Sequence, residues 1–147
     1  MKMKTKLQKK NIFLMVIFTI FSLGIYLPIW FLKQKNVLNN LNLKNKLNSW
    51  PFIVVLIIFT ISLVLFGFQV YFVETQVGKI IDEIDSLIRF CGWIIILVMS
   101  FKVGKMLSEY FNKDLSRAGI FFFSVFYLQY KINEFISLIR KDKRGYS

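Results

Sequence analysis

The sequence lacks histidine, has one cysteine (Cys91), and has 8 acidic side chains against 20 basic ones among 147 residues. Without histidine the chain has no imidazole that could serve as a base or as a metal ligand. A lone thiol forms no disulfide within the chain. Its scattered glycines form no phosphate-binding loop, and no serine stands at a persuasive spacing from a lysine base. We therefore predict a non-enzymatic protein with no catalytic, cofactor-binding or metal-binding residues.

Apolar side chains are abundant, at 56% of the sequence with a mean hydropathy of +0.55. The clearest run covers residues 52–73, which carry no charge and only Thr60, Ser62 and Gln69 as polar breaks. At about 1.5 Å per residue a helix of this length just exceeds the ~30 Å hydrocarbon core of a bilayer. This run predicts an all-α integral membrane protein, and the length of the chain predicts a single domain over residues 1–147.

Two to four segments of this domain are predicted to be embedded in the membrane. The apolar segments cover residues of about 12–32, 52–73, 87–105 and 118–138. The first contains Gly24 and Pro28, each of which can break a helix. The fourth has few apolar residues before Lys131, so it crosses upright only if it continues through charged positions.

Two membrane arrangements follow from the positions of Lys and Arg, which favour the cytoplasmic side. Four full crossings divide the 20 bases as 12 against 8, whereas a first and a fourth segment that each fold back divide them as 18 against 2. The second arrangement fits the rule better and places the acidic loop, residues 74–89, outside a bacterial cytoplasmic membrane. Both arrangements remain open at this point.

A formal net charge of +12 would also suit a nucleic-acid-binding protein, but apolar spans divide the bases into separate clusters. No nucleic-acid-binding motif accompanies those clusters. Anionic lipid headgroups are the expected partners instead, because each juxtamembrane Lys or Arg gains roughly 1 kcal/mol near such a surface.

Residues 77–101 carry a heptad pattern, within which residues 77–89 are predicted to form an amphipathic helix. The proposed self-association seam consists of Val77, Ile80, Ile84, Leu87 and Cys91. The seam predicts a homo-oligomer, packing against the second apolar segment, or a face that lies on the lipid surface. Cys91 is expected to be a small buried hydrophobe. The acidic residues Asp82, Glu83 and Asp85 lie off the seam and are expected to be solvated.

Two short elements resemble a known family. Residues 22–33 read SLGIYLPIWFLK and residues 126–133 read FYLQYKIN. They resemble the T-x-G-I-Y…W-F-x-K and Y-L-Q-x-K-I-N elements of the bacterial membrane family called domain of unknown function 4234. The resemblance implies a structural or interface role for Gly24, Tyr26, Pro28, Trp30, Lys33, Tyr127, Gln129, Lys131 and Asn133, and it implies no activity.

These features together predict an assembly or accessory component of a bacterial inner membrane, acting with copies of itself or with a larger membrane partner. A small pore or transporter is one alternative, and a membrane immunity or defence component is another. Lys131 and Glu134 are spaced to pair on one helix face. This pair is the best candidate for a functional ionisable site if the fourth segment spans the membrane.

Overall fold

The computed structural model describes residues 7–41, 46–72 and 74–144. These residues form five helices and no strand, so the all-α prediction is confirmed for them. The helices are α1 (Ile12–Phe21), α2 (Tyr26–Asn39), α3 (Trp50–Phe72), α4 (Gln76–Phe111) and α5 (Arg117–Arg144). The predicted segment 52–73 corresponds to α3. Among the predicted headgroup-binding bases, Lys2, Lys4, Lys6 and Lys44 lie outside the described residues, and nothing is described of the side chains after residue 139.

The first apolar segment is two helices joined by a tight turn at residues 22–25. Leu23 and Gly24 both have positive φ, at 49° and 95°. A Cβ at Gly24 would lie 3.3 Å from the Phe59 ring, so the position favours glycine both by conformation and by space. Pro28 lies inside the first turn of α2, where a missing N–H breaks no intrahelical bond. The break therefore belongs to Leu23 and Gly24 rather than to Pro28.

Helices α1 and α2 form a hairpin whose turn points at the middle of α3. Phe18 stacks on Tyr26 across the hairpin, with ring centroids 5.8 Å apart. Further along α2, Phe31 stacks on Phe52 in the first turn of α3 at 4.7 Å. Because Gly24 meets Phe59, α2 runs antiparallel to α3 and returns to the level at which α3 begins.

Helices α3 and α4 form a long antiparallel hairpin. Thr75 caps α4 by accepting a hydrogen bond from the Gly78 N–H at 3.1 Å. Gly92 lets the helices approach closely, since a Cβ there would lie 2.9 Å from the Phe59 ring. The predicted amphipathic helix 77–89 and the predicted span 87–105 are consecutive parts of the single 36-residue helix α4, which is about 54 Å long.

Helix α5 reverses direction at Ser124, whose φ of 43° is non-helical. A Cβ at Gly104 would contact both Ile120 and Leu128, which would lie about 12 Å apart along a straight helix. Ser100 and Ser124 share a hydrogen bond of 2.6 Å at the point of reversal. The fourth apolar segment is therefore a bent pair of arms against the second half of α4, and it is not an upright span.

Two helices are long and apolar enough to cross a membrane. The best windows of α3 and α4 have mean hydropathies of 2.8 and 1.9, and only 22% and 28% of those windows are buried within the protein. The buried core lies mainly at the other helices and at the end of the α3–α4 hairpin opposite its connection. Its largest fully buried side chains are Trp30, Phe31, Phe52, Phe59, Met15, Leu27, Leu38, Ile96, Met106, Leu107, Leu128 and Ile132.

Candidate functional site

The two family-like elements meet in the core through a hydrogen bond between fully buried side chains. In sequence the first ends 93 positions before the second begins. The indole Nε1–H of Trp30 donates to Oε1 of Gln129 at 2.9 Å. Both side chains are at 0% exposure. A buried indole N–H without an acceptor would be costly, so this bond fixes how α2 packs on α5.

The same face of α5 holds the chain that enters α1. Asn133 accepts from the Lys10 N–H at 3.1 Å and donates to the Lys10 carbonyl at 2.7 Å. Gln129 donates from Nε2 both to the Gln8 carbonyl at 3.2 Å and to Asn133 Oδ1 at 2.8 Å. We call Trp30, Gln129 and Asn133 the amide clamp. The clamp joins α2, α5 and the residues before α1 into one hydrogen-bonded unit.

Other residues of the two elements lie outside the clamp. Gly24 forms the hairpin turn at Phe59, and Tyr26 stacks on Phe18. The Tyr127 hydroxyl accepts the Ser116 N–H at 3.0 Å, which ties together the two arms of α5. Lys33 is exposed on α2, one turn beyond Trp30.

The predicted pair of Lys131 and Glu134 is present, with Nζ and Oε2 2.7 Å apart. The hydrogen bond to Glu134 is the main reason that the pKa of Lys131 is raised. The two side chains are 24% and 38% exposed, and α5 is not one of the two candidate spans. The pair is therefore a partly solvated contact at the surface of the protein.

A second polar cluster lies between α3 and α4, and the sequence did not predict it. Asp85 is fully buried, at 0% exposure, so the expectation that it is solvated is wrong. The Ser62 hydroxyl donates to Oδ1 of Asp85 at 2.5 Å, and the Arg89 guanidinium forms an ion pair with Oδ2. Ser62 is the thirteenth of the 23 residues of α3, so the carboxylate lies beside the middle of the most apolar helix.

A sequence signal for this cluster exists. Gly78, Asp85 and Gly92 are spaced seven apart, and all three are buried on the face of α4 that packs on α3. Small residues such as the two glycines let membrane helices approach closely. If these three positions are taken as a packing face, the Asp85 side chain is predicted to lie between α3 and α4. The charges of Asp82 and Glu83, which are exposed as expected, obscured that signal.

The predicted self-association seam points away from α3. Its members are 49–66% exposed at Val77, Ile80, Ile84 and Leu87. Packing of the seam on the second apolar segment is therefore wrong, whereas the exposure fits both a partner copy and a face on the lipid surface. Cys91 is also exposed, so it is not the buried hydrophobe expected from its apolar neighbours.

No protein-family model, curated protein or solved structure matches this chain. The resemblance to domain of unknown function 4234 accordingly stays a prediction that rests on the two short elements.

Proposed function

We propose that the protein is a non-enzymatic component of a bacterial cytoplasmic membrane, that α3 and α4 insert it, and that it assembles through the exposed face of α4. Support for insertion comes from how little of α3 the protein itself covers. A core helix of a water-soluble protein would be mostly buried. In α3, only 22% of the apolar window is buried within the protein.

The main support for assembly is that α3 and α4 expose different kinds of side chain at the end of their hairpin where the two helices connect. We call this end the hairpin tip and define it as residues 62–72 of α3 with residues 76–85 of α4. The α3 side exposes apolar side chains, including Val64, Phe68 and Val70 at 54–66% exposure. The α4 side of the same layer exposes charges at Lys79, Asp82 and Glu83 beside the apolar seam.

Neither lipid nor water suits both sides of the hairpin tip. The tip is about 15 Å deep along α3, or half of a hydrocarbon core. If it lies in lipid, the charges of α4 are desolvated, and if it lies in water, the apolar side of α3 is exposed. With α3 in lipid, a second copy packed on the seam replaces lipid beside the charges of α4, and the apolar seam offers the self-complementary contact that a two-fold dimer needs.

The fold also supports the arrangement with both chain ends on the cytoplasmic side. Helices α1 and α2 return to the level of the start of α3, and the arms of α5 fold back against the second half of α4. We propose on this basis that α3 and α4 are the crossing helices and that the connection between them, at residues 74 and 75, lies outside. Of the acidic segment 74–89, the part around Asp85 then lies beside the middle of α3, because Asp85 contacts Ser62. The meeting of the two family-like elements in the amide clamp supports the proposed family relationship.

Extraction and labelling test the membrane placement. In membranes washed with alkaline carbonate the protein should stay in the pellet, since two apolar helices anchor it. In a Cys91→Ser background, a membrane-impermeant maleimide should label Glu74→Cys, in the connection between α3 and α4, in intact cells. The matched exposed position Lys113→Cys should be labelled only after permeabilisation. Release by carbonate, or the reverse labelling pattern, would contradict the proposal.

Ion or proton movement is a second candidate function, favoured by the position of Asp85. Ionisable groups at mid-membrane depth commonly mark proton or ion paths. Asp82 bonds to Gln69 at 3.1 Å, one turn nearer the hairpin tip than Asp85, so polar groups continue along the α3–α4 contact toward the tip. The closed pairing of Asp85 with Ser62 and Arg89 favours a structural role over this one.

Proteoliposomes separate the two functions. The assembly proposal expects the full-length protein to give no proton flux above that of empty liposomes under a pH gradient. A flux that Asp85→Asn abolishes while the variant keeps its fold would replace assembly by proton movement as the function. Asp82→Asn is the matched control for the loss of one exposed carboxylate.

A further inference from the structure

A cavity of about 390 Å³ lies between the second half of α4 and the first arm of α5, residues 117–123. Its polar wall consists of Lys105 and Ser108 from α4, Asp114 from the connection between the helices, and Arg117 from the first turn of α5. Apolar side chains complete the wall. The volume is within the range of small-molecule sites, so the cavity is large enough to hold a small polar group.

Charges of both signs face this cavity. Among the residues that the structure describes, neither Lys105 nor Arg117 forms an ion pair with Asp114 or with any other acid. The Ser108 hydroxyl accepts the Leu115 N–H at 3.2 Å, so its own proton can be donated to a ligand. Two cations and a hydroxyl suit a phosphate, and a carboxylate suits an ammonium group.

Hydrogen bonds within the chain hold the wall of the cavity in place. The Ser108 carbonyl accepts the Lys113 N–H at 3.2 Å. The Ser116 N–H donates to the Tyr127 hydroxyl at 3.0 Å, and the Ser116 hydroxyl accepts the Gly119 N–H at 3.2 Å. The connection and the start of α5 are therefore fixed, which reduces the entropy lost on binding a ligand.

Contacts between α3 and α4 place the cavity at the level where α3 begins. Gly92 is level with Phe59, since a Cβ there would lie 2.9 Å from the ring. Both helices advance about 1.5 Å per residue, so Trp50 is level with about residue 101 of α4. Phe101 lines the cavity, and Lys105 lies about 6 Å further along α4. In the membrane placement proposed above, this is the headgroup layer of the cytoplasmic leaflet.

Exposed aromatic side chains border the cavity on the side nearer the membrane centre. Residues 121–123 are three consecutive phenylalanines, each 57–76% exposed, and they directly follow Ile120 of the cavity wall. The hydrogen bond between Ser100 and Ser124 keeps this bend level with the start of α3. Phenylalanine side chains at this depth insert among acyl chains, which favours a lipid over a water-soluble ligand.

We propose that this cavity binds the headgroup of a membrane lipid that carries both a phosphate and a primary ammonium group, as phosphatidylethanolamine does. Lys105, Arg117 and the Ser108 hydroxyl bind the phosphate, and Asp114 accepts hydrogen bonds from the ammonium. The site rests on the membrane insertion proposed above and adds a specific lipid to it. Phosphatidylglycerol lacks the ammonium group, and the choline of phosphatidylcholine has no N–H to donate.

Lipid binding to the purified full-length protein tests the site. In nanodiscs of phosphatidylcholine with equal amounts of phosphatidylethanolamine and phosphatidylglycerol, native mass spectrometry should find phosphatidylethanolamine enriched around the protein. Lys105→Gln and Arg117→Gln should each lower its binding about fivefold. Lys102→Gln removes the same charge from an exposed position of α4 outside the cavity and should leave binding unchanged. Equal losses in Lys102→Gln and Lys105→Gln would overturn the site in favour of diffuse attraction.

The Asp114 carboxylate is expected to determine the preference between headgroups. Asp114→Asn is isosteric at an exposed position, so the fold should be kept. The ratio of bound phosphatidylethanolamine to bound phosphatidylglycerol should fall about threefold in this variant. Glu109→Gln removes an exposed carboxylate of α4 outside the cavity and should leave the ratio unchanged. An unchanged ratio in Asp114→Asn would overturn the pairing of Asp114 with the ammonium.

Soluble phosphoethanolamine has the same headgroup without acyl chains and distinguishes the source of the ligand. In neutral detergent, short-chain phosphatidylethanolamine should raise the melting temperature, and millimolar phosphoethanolamine should not. Equal stabilisation by the two, lost in Lys105→Gln, would overturn the lipid assignment in favour of a soluble ligand. Release from membranes by carbonate would refute insertion, whereas an inserted protein without the lipid preference refutes only this site.

Discussion

The clamped end and the hairpin tip of the same molecule satisfy their polar groups in opposite ways. At the clamped end, the polar side chains of Trp30 and Gln129 are fully buried and bonded to partners from three parts of the chain. At the tip, Gln69 and Asp82 bond to each other at the surface, and large apolar side chains lie exposed beside them. One end satisfies these polar groups within a single copy, while the other leaves apolar and charged side chains exposed at the same level.

This difference separates a region expected to determine stability from the region through which we propose that the protein associates. Buried polar groups with full sets of partners make a region rigid and its packing unique. Exposed apolar and charged groups at one depth leave a region dependent on what covers it. We therefore expect core substitutions to act on the free energy of unfolding and tip substitutions to act on assembly.

The largest effect is expected at the boundary between the two regions, in the Asp85 cluster. Arg89→Leu leaves the fully buried Asp85 carboxylate without its cation. The free energy of unfolding in detergent should fall by about 3 kcal/mol, the lower end of the range for broken buried pairs, since Arg89 is itself 32% exposed. Denaturation by SDS, followed by circular dichroism, measures the loss.

Two further variants control this prediction. The double variant Asp85→Leu with Arg89→Leu removes both charges and should recover most of the loss. Asp82→Asn changes an exposed carboxylate on the same helix and should have little effect. A double variant as unstable as Arg89→Leu would show that packing, and not the uncompensated charge, causes the loss.

A single substitution made in both regions sharpens the comparison. Gln129→Leu leaves the buried Trp30 N–H without an acceptor and should cost about 1–3 kcal/mol of unfolding free energy. Gln69→Leu makes the same chemical change at the tip, where water or a partner can replace the lost bond with Asp82. Its unfolding free energy in detergent should stay within about 0.5 kcal/mol of the wild type. Equal losses of unfolding free energy in the two variants would contradict the distinction between the two ends.

Glycine substitutions extend the comparison to backbone packing. Gly92→Ala places a Cβ 2.9 Å from the Phe59 ring, so a packed aromatic must shift, at a cost of about 1 kcal/mol. Gly67, within the tip, has no atom within 4 Å of such a Cβ. Gly67→Ala should therefore be neutral or stabilising by a few tenths of a kcal/mol in detergent, because alanine favours helix. Melting temperatures of the two variants report the difference.

Most of this fold follows from local patterns, and the parts that do not have physical reasons. The apolar run 52–73 defines α3 because an uncharged stretch of that length has few other stable structures. The break at Gly24 follows from its residue type. The reversal at Ser124 has no such signal, because a non-glycine residue rarely has a positive φ and nothing in the residue type marks this position.

Contacts between distant segments were the least predictable part of the candidate site. The family-like elements singled out Trp30, Gln129 and Asn133, but nothing local shows that Trp30 bonds to a residue 99 positions away. Asp85 was assigned to the solvated face because its acidic neighbours Asp82 and Glu83 are solvated. Its partner Ser62 is one of three polar residues in α3, and only the register of the two helices brings them together.

The smallest predicted effect is a pH dependence at the clamped end. Because burial lowers the pKa of Lys10 below 10.5, protonated Lys10 costs stability below its folded-state pKa. Stability should therefore rise as the pH increases from that pKa toward 10.5. In neutral detergent, Lys10→Gln should remove this contribution and Lys9→Gln should keep it, as measured by SDS denaturation between pH 8 and about 10.5. A wild-type profile parallel to that of Lys10→Gln would contradict the assignment.

Disulfide crosslinking along α4 tests most directly the claim that the hairpin tip and its seam need a protein partner, here a second copy. In a Cys91→Ser background, Leu87→Cys places a thiol on the seam, and Ser86→Cys places one on the adjacent exposed face. Mild oxidation in native membranes should yield a covalent dimer from Leu87→Cys and little from Ser86→Cys. Ile84→Asp, one turn away on the seam, should weaken the dimer. Equal crosslinking at both positions, or none at Leu87→Cys, would contradict association of two copies through this face.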